Sequence, residues 1–194
     1  MEKVSYALGL SLGNNLSQNG VTSLDYNKFA QGIKDVLEKN KPEISYQEAQ
    51  TVISDFFQEL QSKIFQKNIE EGKAFLVENA KRAEVLTLPS GLQYQILTAG
   101  TGEVPKSSDT VEVHYHGTLI DGSVFDSSVN RGEPATFGVT HVIPGWVEAL
   151  QLMPVGSKWK LFIPSDLAYG ERGAGQAIAP HSTLVFDVEL LGIK

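Results

Sequence analysis

Apolar positions in the first 88 residues recur at helical spacing, and beyond them the recurrence switches to alternation. Val4, Leu8, Leu12 and Leu16 fall every four residues and predict an amphipathic helix. Gly9 and Gly13 lie beside that stripe, where small residues let a second backbone approach. Tyr26, Phe29, Ile33, Val36 and Leu37 mark a second helix, broken at Asn40-Lys41-Pro42. Ser45 and Glu48 have capping-box spacing, with Ile44 in the staple position, and no proline follows until Pro89. A third helix is therefore predicted from Ser45 to about Ala83. Its first part is broadly apolar (Ala49, Val52, Ile53, Phe56, Phe57, Leu60, Ile64, Phe65), and its continuation thins to Ile69, Phe75 and Leu76 in a polar setting. At 1.5 Å per residue it would run for about 55–60 Å. The expectation is an apolar start packed on the first two helices, continued by a polar arm.

After the turn at Pro89-Ser90-Gly91 the period becomes two, beginning with LQYQIL. Val111, Val113 and Tyr115 share one strand face, and Glu112, His114 and His116 the other. Asp121-Gly122 is a hairpin signal. Pro144-Gly145 opens a short helix that offers Trp146, Val147, Leu150 and Met153 inward. KWKLFIP is a further strand, and in the last one Leu184, Phe186, Val188 and Leu190 alternate with Val185, Asp187 and Glu189. Of 8 prolines only Pro42 precedes Leu88, and all four histidines and both tryptophans follow it. The class is α+β, with helices in residues 1–87 and antiparallel strands around one short helix in 88–194.

Bulk properties narrow the partners. With 41% apolar and 20% charged residues, this is the composition of a globular chain. A net charge of −7 argues against nucleic acid or an anionic membrane as the main partner. No apolar run reaches transmembrane length. The absence of cysteine removes disulfides, thiol catalysis and zinc–thiolate sites. VSYALGLSLG is too diluted by serine and glycine for a signal core, so the expected location is cytoplasmic, or periplasmic if a leader has been removed. Three helices carrying so much Leu and Phe would make a thin core alone. Association through the Val4–Leu16 and Val52–Phe65 faces into a homodimer answers that, the alternative being a self-contained three-helix domain.

Little conventional catalytic chemistry is present. His114 and His116 share a strand face, but only Glu112 joins them, so hydrogen-bonded or solvent-facing histidines are expected and no metal or cofactor. GERGAG (170–175) lacks the strand and helix context of a phosphate loop and reads as a mobile surface loop. Ser127 and Ser128 have no nucleophile-elbow motif around them. What remains is a set of large residues, Tyr115, Phe125, Val142, Ile143, Trp146, Tyr169 and Phe186, at strand ends, a helix start and a loop. Pattern alone leaves pocket and core equally open. Asp126 weighs against plain core, because a carboxylate among rings is costly unless paired, and Arg131 is near in sequence.

VEVHYHGTLIDGSVFDSS, VIPGW, AYGERGAG and STLVFDVELL, in that order and spacing, resemble the FKBP-type peptidyl-prolyl cis–trans isomerases over about Leu88–Lys194. SYALGLSLGNNL and AFLVENAKRAEVLTLPSGLQY resemble the dimerisation domain of the bacterial Mip-like branch. The resemblance implies an antiparallel half-barrel wrapped around the Trp146 helix, and an enzyme that accelerates rotation of Xaa-Pro bonds in folding polypeptides. It implies Trp146 as the floor of a proline pocket, with Tyr115, Phe125 and Phe186 as walls and Val142, Ile143, Phe137 and Ile178 as further substrate contacts. Asp126 matches the family's pocket carboxylate and Arg131 its partner. Tyr169 matches a hydroxyl that binds a substrate carbonyl, and the Ile143 amide is a second anchor. By the same resemblance Tyr115, Phe125, Asp126, Tyr169 and Phe186 are the catalytic set. Ala135, Ala174 and Ala177 stand where better-known members have larger residues, which implies a more open rim and alters the expected fit of macrolides such as tacrolimus or rapamycin. A holdase-type chaperone with incidental isomerase activity is the alternative.

Overall fold

The computed structural model describes all of residues 1–194 and divides into two compact units, Met1–Ile64 and Phe65–Lys194. In the first unit, α1 (Glu2–Gln18) and α2 (Tyr26–Glu38) form as the spacing predicts. Asp25 caps α2, accepting from the Asn27 and Lys28 amides at 3.0 Å each. Helix α3 (Tyr46–Asn79) starts from the predicted cap, with the Glu48 amide donating to Ser45 Oγ at 3.1 Å.

The apolar start of α3 is covered less than expected. Leu60 and Ile64 pack over the turn at Gly20, but Val52, Ile53 and Phe56 are exposed. Val21 is the one buried apolar residue before Phe65. Exposed Val4, Leu8, Leu12, Ile33 and Leu37 complete a unit whose apolar faces mostly meet solvent in the single chain.

The polar continuation of α3 is not a free arm. Its residues from Phe65 onward belong to the second unit and lie against the sheet. Phe75 packs on Phe162 with ring centroids 6.0 Å apart. The buried Asn79 donates to Gln93 Oε1 at 2.8 Å, and Gln93 Nε2 donates to the Leu76 carbonyl at 2.9 Å. The helix ends at Asn79, short of Ala83, where Arg82 turns back to Asn79 Oδ1 (3.0 Å) and Gln95 (2.9 Å). The change from helix to strand grammar near Leu88 and the division into compact units thus fall at different places.

The second unit is an antiparallel sheet of β1 (Leu86–Thr87), β2 (Gln93–Thr98), β3 (Thr110–Leu119), β4 (Val124–Ser127), β5 (Ala135–Gly138), β6 (Lys158–Ile163) and β7 (Leu184–Ile193). The order is β1-β2-β6-β7-β3-β4, and β5 shares β3's outer edge, opposite Thr110–Val113, while β4 lies opposite His116–Thr118. Alternation on β3 and β7 puts Val111, Val113, Tyr115, Leu184, Phe186, Val188 and Leu190 on the buried face, as predicted. Helix α5 (Pro144–Leu150) lays Trp146, Ala149 and Leu150 against them. No helix is long and apolar enough to cross a membrane.

Candidate active site

The site forms where β3, β4, β5, β7 and α5 meet. Tyr115 reaches it from the buried face of β3, and Phe186 from β7, where its register partner is Gly117. Phe125 and Asp126 arrive on β4 after the tight turn at Asp121-Gly122. A single helical turn, α4 (Ser128–Arg131), then folds Arg131 back onto them. Ser127 caps it by accepting from the Asn130 amide at 3.1 Å. Phe137 enters from β5, and Val142 and Ile143 precede α5, which starts with Pro144.

Together these residues enclose a cavity of about 560 Å³. Trp146, 4% exposed, forms its base. Three rings stand nearly perpendicular to the indole: Tyr115 at 5.5 Å and 84°, Phe137 at 6.0 Å and 89°, and Phe186 at 5.2 Å and 82°. Phe125 meets Phe186 edge to face at 5.3 Å. Edge-to-face packing is the arrangement that ring quadrupoles favour, so the walls support one another without any ring filling the space between them. Tyr115, Trp146 and Phe186 belong to the hydrophobic core and line this open, aromatic cavity, so core and pocket share the same residues.

The one charged side chain of the lining, Asp126, is held in a hydrogen-bonded network. Tyr115 Oη donates to Asp126, Arg131 Nη1 donates to the same carboxylate, and Arg131 Nη2 donates to Tyr115 Oη at 2.9 Å. The guanidinium also lies over the Tyr115 ring, 5.6 Å from its centroid. Burial alone would push the Asp126 carboxyl up. Hydrogen bonds from Tyr115 and Arg131, with the guanidinium charge, outweigh that and hold it below its ordinary value. Burial, then the Asp126 hydrogen bond, raises the Tyr115 phenol, so it stays protonated as a donor. A carboxylate whose folded-state pKa is depressed keeps its contribution above the unfolded value and loses it as pH falls through the folded one. The Tyr115–Asp126–Arg131 network is therefore expected to persist from neutrality down to about pH 5 and to come apart only in stronger acid. An NMR titration of the Asp126 carboxyl carbon with its midpoint above about pH 5 would contradict this pairing.

Every sequence-predicted site residue except Arg131 lines the cavity, and Arg131 acts on it through Asp126 and Tyr115. His141, Ala174 and Ala177 also line it. His141 was missed, and only its place between Phe137 and Val142 hinted at it. The GERGAG segment is more than a surface loop, because the turn Gly170–Arg172 and the bridge between Ala174 and Ile178 build the rim. His114 and His116 sit outside the cavity, hydrogen-bonded to Ser128 Oγ (3.1 Å) and Ser127 Oγ (3.0 Å). Those serines serve the backbone, as when the Tyr115 amide donates to Ser128 Oγ at 2.8 Å.

Residues 101–191 match the family model described as FKBP-type peptidyl-prolyl cis–trans isomerase, and residues 1–96 match that of the domain amino-terminal to it. The FKBP-type 22 kDa peptidyl-prolyl cis–trans isomerase of Escherichia coli is 49% identical, over 98% of this chain and 94% of its own length. The chain belongs to the FKBP-type peptidyl-prolyl cis–trans isomerases. Outer membrane protein MIP of Legionella longbeachae is 46% identical over 100% of this chain and 85% of its own. The crystal structure of FkpA from Escherichia coli superposes with a TM-score of 0.80 at 43% identity, covering 99% of this chain and 95% of that one. The helical region joined to an FKBP-type half-barrel is the family's architecture, as the resemblance implied. The protein is accordingly a peptidyl-prolyl cis–trans isomerase acting on proline-containing polypeptides. The cytoplasmic expectation gains no support from these relatives, one of which is by name an outer membrane protein.

Proposed function

We propose that the cavity over Trp146 takes the proline ring of an unfolded or partly folded polypeptide and accelerates rotation about the preceding amide by desolvation and by binding its twisted form. The observation that carries this reading is an aromatic cavity over a buried indole, with one hydrogen-bonded carboxylate network, Tyr115–Asp126–Arg131, at its side. Rotation must break amide resonance, a barrier of about 18–20 kcal/mol, and unaided it takes tens to hundreds of seconds. No covalent bond changes, so no nucleophile or general base is needed. Water favours the planar, charge-separated amide, and an apolar cavity withdraws that advantage. Each tenfold gain needs about 1.4 kcal/mol of preferential binding to the twisted state.

In this account Phe125, Phe137, Val142, Ile178 and Phe186 form the apolar enclosure. Tyr169 and the Ile143 amide hold the substrate carbonyls, and Asp126, Tyr115 and Arg131 form the polar wall. Residues 88–194 would act as the isomerase domain and 1–87 as the dimerisation domain. The small residues Ala174 and Ala177 on the rim point to weaker contact with a macrolide than a bulky rim would give. The name of the Legionella relative favours a place outside the cytoplasm, the periplasm in a two-membrane cell.

The thin first unit supports the homodimer. A Cβ added at Gly9, Gly13 or Gly32 would meet nothing within 4 Å, although these positions border exposed apolar stripes. In an isolated chain Gly→Ala at such helix positions should stabilise by about 0.5–1 kcal/mol each. If a partner backbone approaches there, the added methyl groups oppose association instead. Light scattering is expected to give twice the 21.1 kDa chain mass for the wild type and a shift toward monomer for the double variant Gly9→Ala, Gly13→Ala. A monomeric wild type would refute the dimer.

Two pockets in one dimer would grip a chain at two points and raise effective concentration. A holdase in which isomerisation is incidental is the second reading, favoured by the exposed apolar faces of the first unit. The full chain separates the two. If the pocket carries the function, Asp126→Ala loses most peptide isomerisation and with it the acceleration of proline-limited refolding of a client, while suppression of aggregation stays nearly unchanged. If the holdase carries it, the variant assists the same client as well as wild type. Undiminished client refolding by a variant that has lost peptide isomerisation would refute the pocket as carrier.

A further inference from the structure

The rim of the cavity is one loop, Tyr169–Ser182, and its base is tied shut. The His181 amide donates to the Gly170 carbonyl at 2.8 Å. Further out, Ala174 and Ile178 exchange backbone hydrogen bonds of 2.8 and 3.1 Å. Tyr169, Ala174, Ala177 and Ile178 from this loop face the cavity. His181 lies in the left-handed region at φ +60°, uncommon for a residue with a side chain.

One face of helix α3 backs this turn. Phe65 meets the His181 ring at 5.7 Å and 65°. Asn68 Nδ2 donates to the Pro180 carbonyl at 2.8 Å. At Gly72 the helix passes so close to buried Thr183 that an added Cβ would collide with Thr183 Oγ1 and lie 3.3 Å from its Cβ. Positions 65, 68 and 72 lie on one helix face by their spacing, and they meet three of four successive residues at the base of the loop. Asn68 supplies the directional contact, since an amide donor aimed at one carbonyl fixes position as well as separation.

We propose that Asn68, supported by Phe65 and Gly72, is a positioning residue that sets the rim of the cavity, and with it the discrimination of the residue preceding proline. This rests on reading the cavity as the proline site. The floor and inner walls are occupied by the ring, so the rim is what remains to meet the flanking residue. Substrate need not touch Asn68 for the rim to depend on it.

The test uses the full chain carrying Asn68→Asp, which keeps the shape of the side chain but replaces the donor with an anion facing a carbonyl oxygen. Asn68→Gln retains a donor and serves as the rescue. Exchange spectroscopy on peptides of the type Ala-Xaa-Pro-Phe, with Xaa as Leu, Ala or Glu, gives kcat and KM separately. Hydrogen exchange reads the amides of Ala174 and Ile178. Asn68→Asp is expected to lower kcat/KM for the Leu peptide about three- to tenfold, through KM, and to narrow the spread between peptides. The two rim amides should exchange about tenfold faster while those of β7 do not change. Asn68→Gln should recover half or more of the loss. Kinetics within about twofold of wild type with unchanged rim exchange, or a uniform loss that leaves the peptide ranking intact, would overturn the proposal. If wild type turns over none of the peptides, the reading of the cavity fails on its own, and rim exchange still decides whether Asn68 holds the loop.

Discussion

Replacing Gly117 by alanine is expected to remove most isomerase activity, although one methyl group is all that is added. Gly117 is buried on β3 opposite Phe186. A Cβ there would lie 2.7 Å from Phe125 Cε2 and Cζ and 2.8 Å from Phe186 Cε1, well inside contact distance. Both rings would have to move, and both are cavity walls. Overpacking of this kind costs about 1–3 kcal/mol in stability. The larger effect falls on catalysis, because a wall displaced by even 1 Å is worth about a hundredfold in rate when geometry carries the reaction. Peptide kinetics should show kcat/KM down by about tenfold to a hundredfold, while urea denaturation shows a folded chain with a lower midpoint. Activity within about twofold of wild type would mean that Phe125 and Phe186 do not shape the reacting amide.

Replacing Asp126 by alanine is the second large effect. The carboxylate accepts from both Tyr115 Oη and Arg131 Nη1, so its loss strands a buried-side donor and leaves a guanidinium with Tyr115 Oη as its remaining partner at the site. The cost falls on the buried Tyr115, whose hydroxyl loses its acceptor, while the half-exposed Arg131 is rehydrated. Asp126 is 43% exposed at its side chain, so solvent screens much of the effect on stability. The effect on activity is not screened in the same way, because Tyr115 and the polar wall lose their fixed geometry. A drop of about tenfold or more in kcat/KM is expected, with little change in melting temperature. Arg131→Ala should give a smaller loss, since Tyr115 would still donate to Asp126.

The sheet was legible because its buried face alternates without interruption. Val111, Val113 and Tyr115 on β3 and Leu184 to Leu190 on β7 have no competing period, and burial follows them residue by residue. The Asp126–Arg131 pair was legible from the improbability of an unpaired acid beside rings. The docked half of α3 was not legible, for a physical reason. Its contact face is Phe65, Asn68, Gly72, Phe75 and Asn79, spaced by three and four like any helix stripe. However, it works through two amides and a missing side chain as much as through rings. A search for apolar periodicity sees only the two phenylalanines and reads the rest as solvated. The predicted covering of Val52, Ile53 and Phe56 fared poorly for a related reason. Periodicity shows that a face is apolar, and says nothing of whether its cover comes from the same chain.

Catalysis by rotation in an aromatic cavity is tested most directly by magnetisation exchange between the cis and trans forms of an Ala-Leu-Pro-Phe peptide at neutral pH. Full-length wild type and Asp126→Ala should be compared at equal concentration, with circular dichroism confirming that both are folded. Wild type is expected to raise the exchange rate far above the uncatalysed value, and the variant to lose about nine-tenths or more of that gain. No acceleration by folded wild type, or equal acceleration by the variant, would contradict the account.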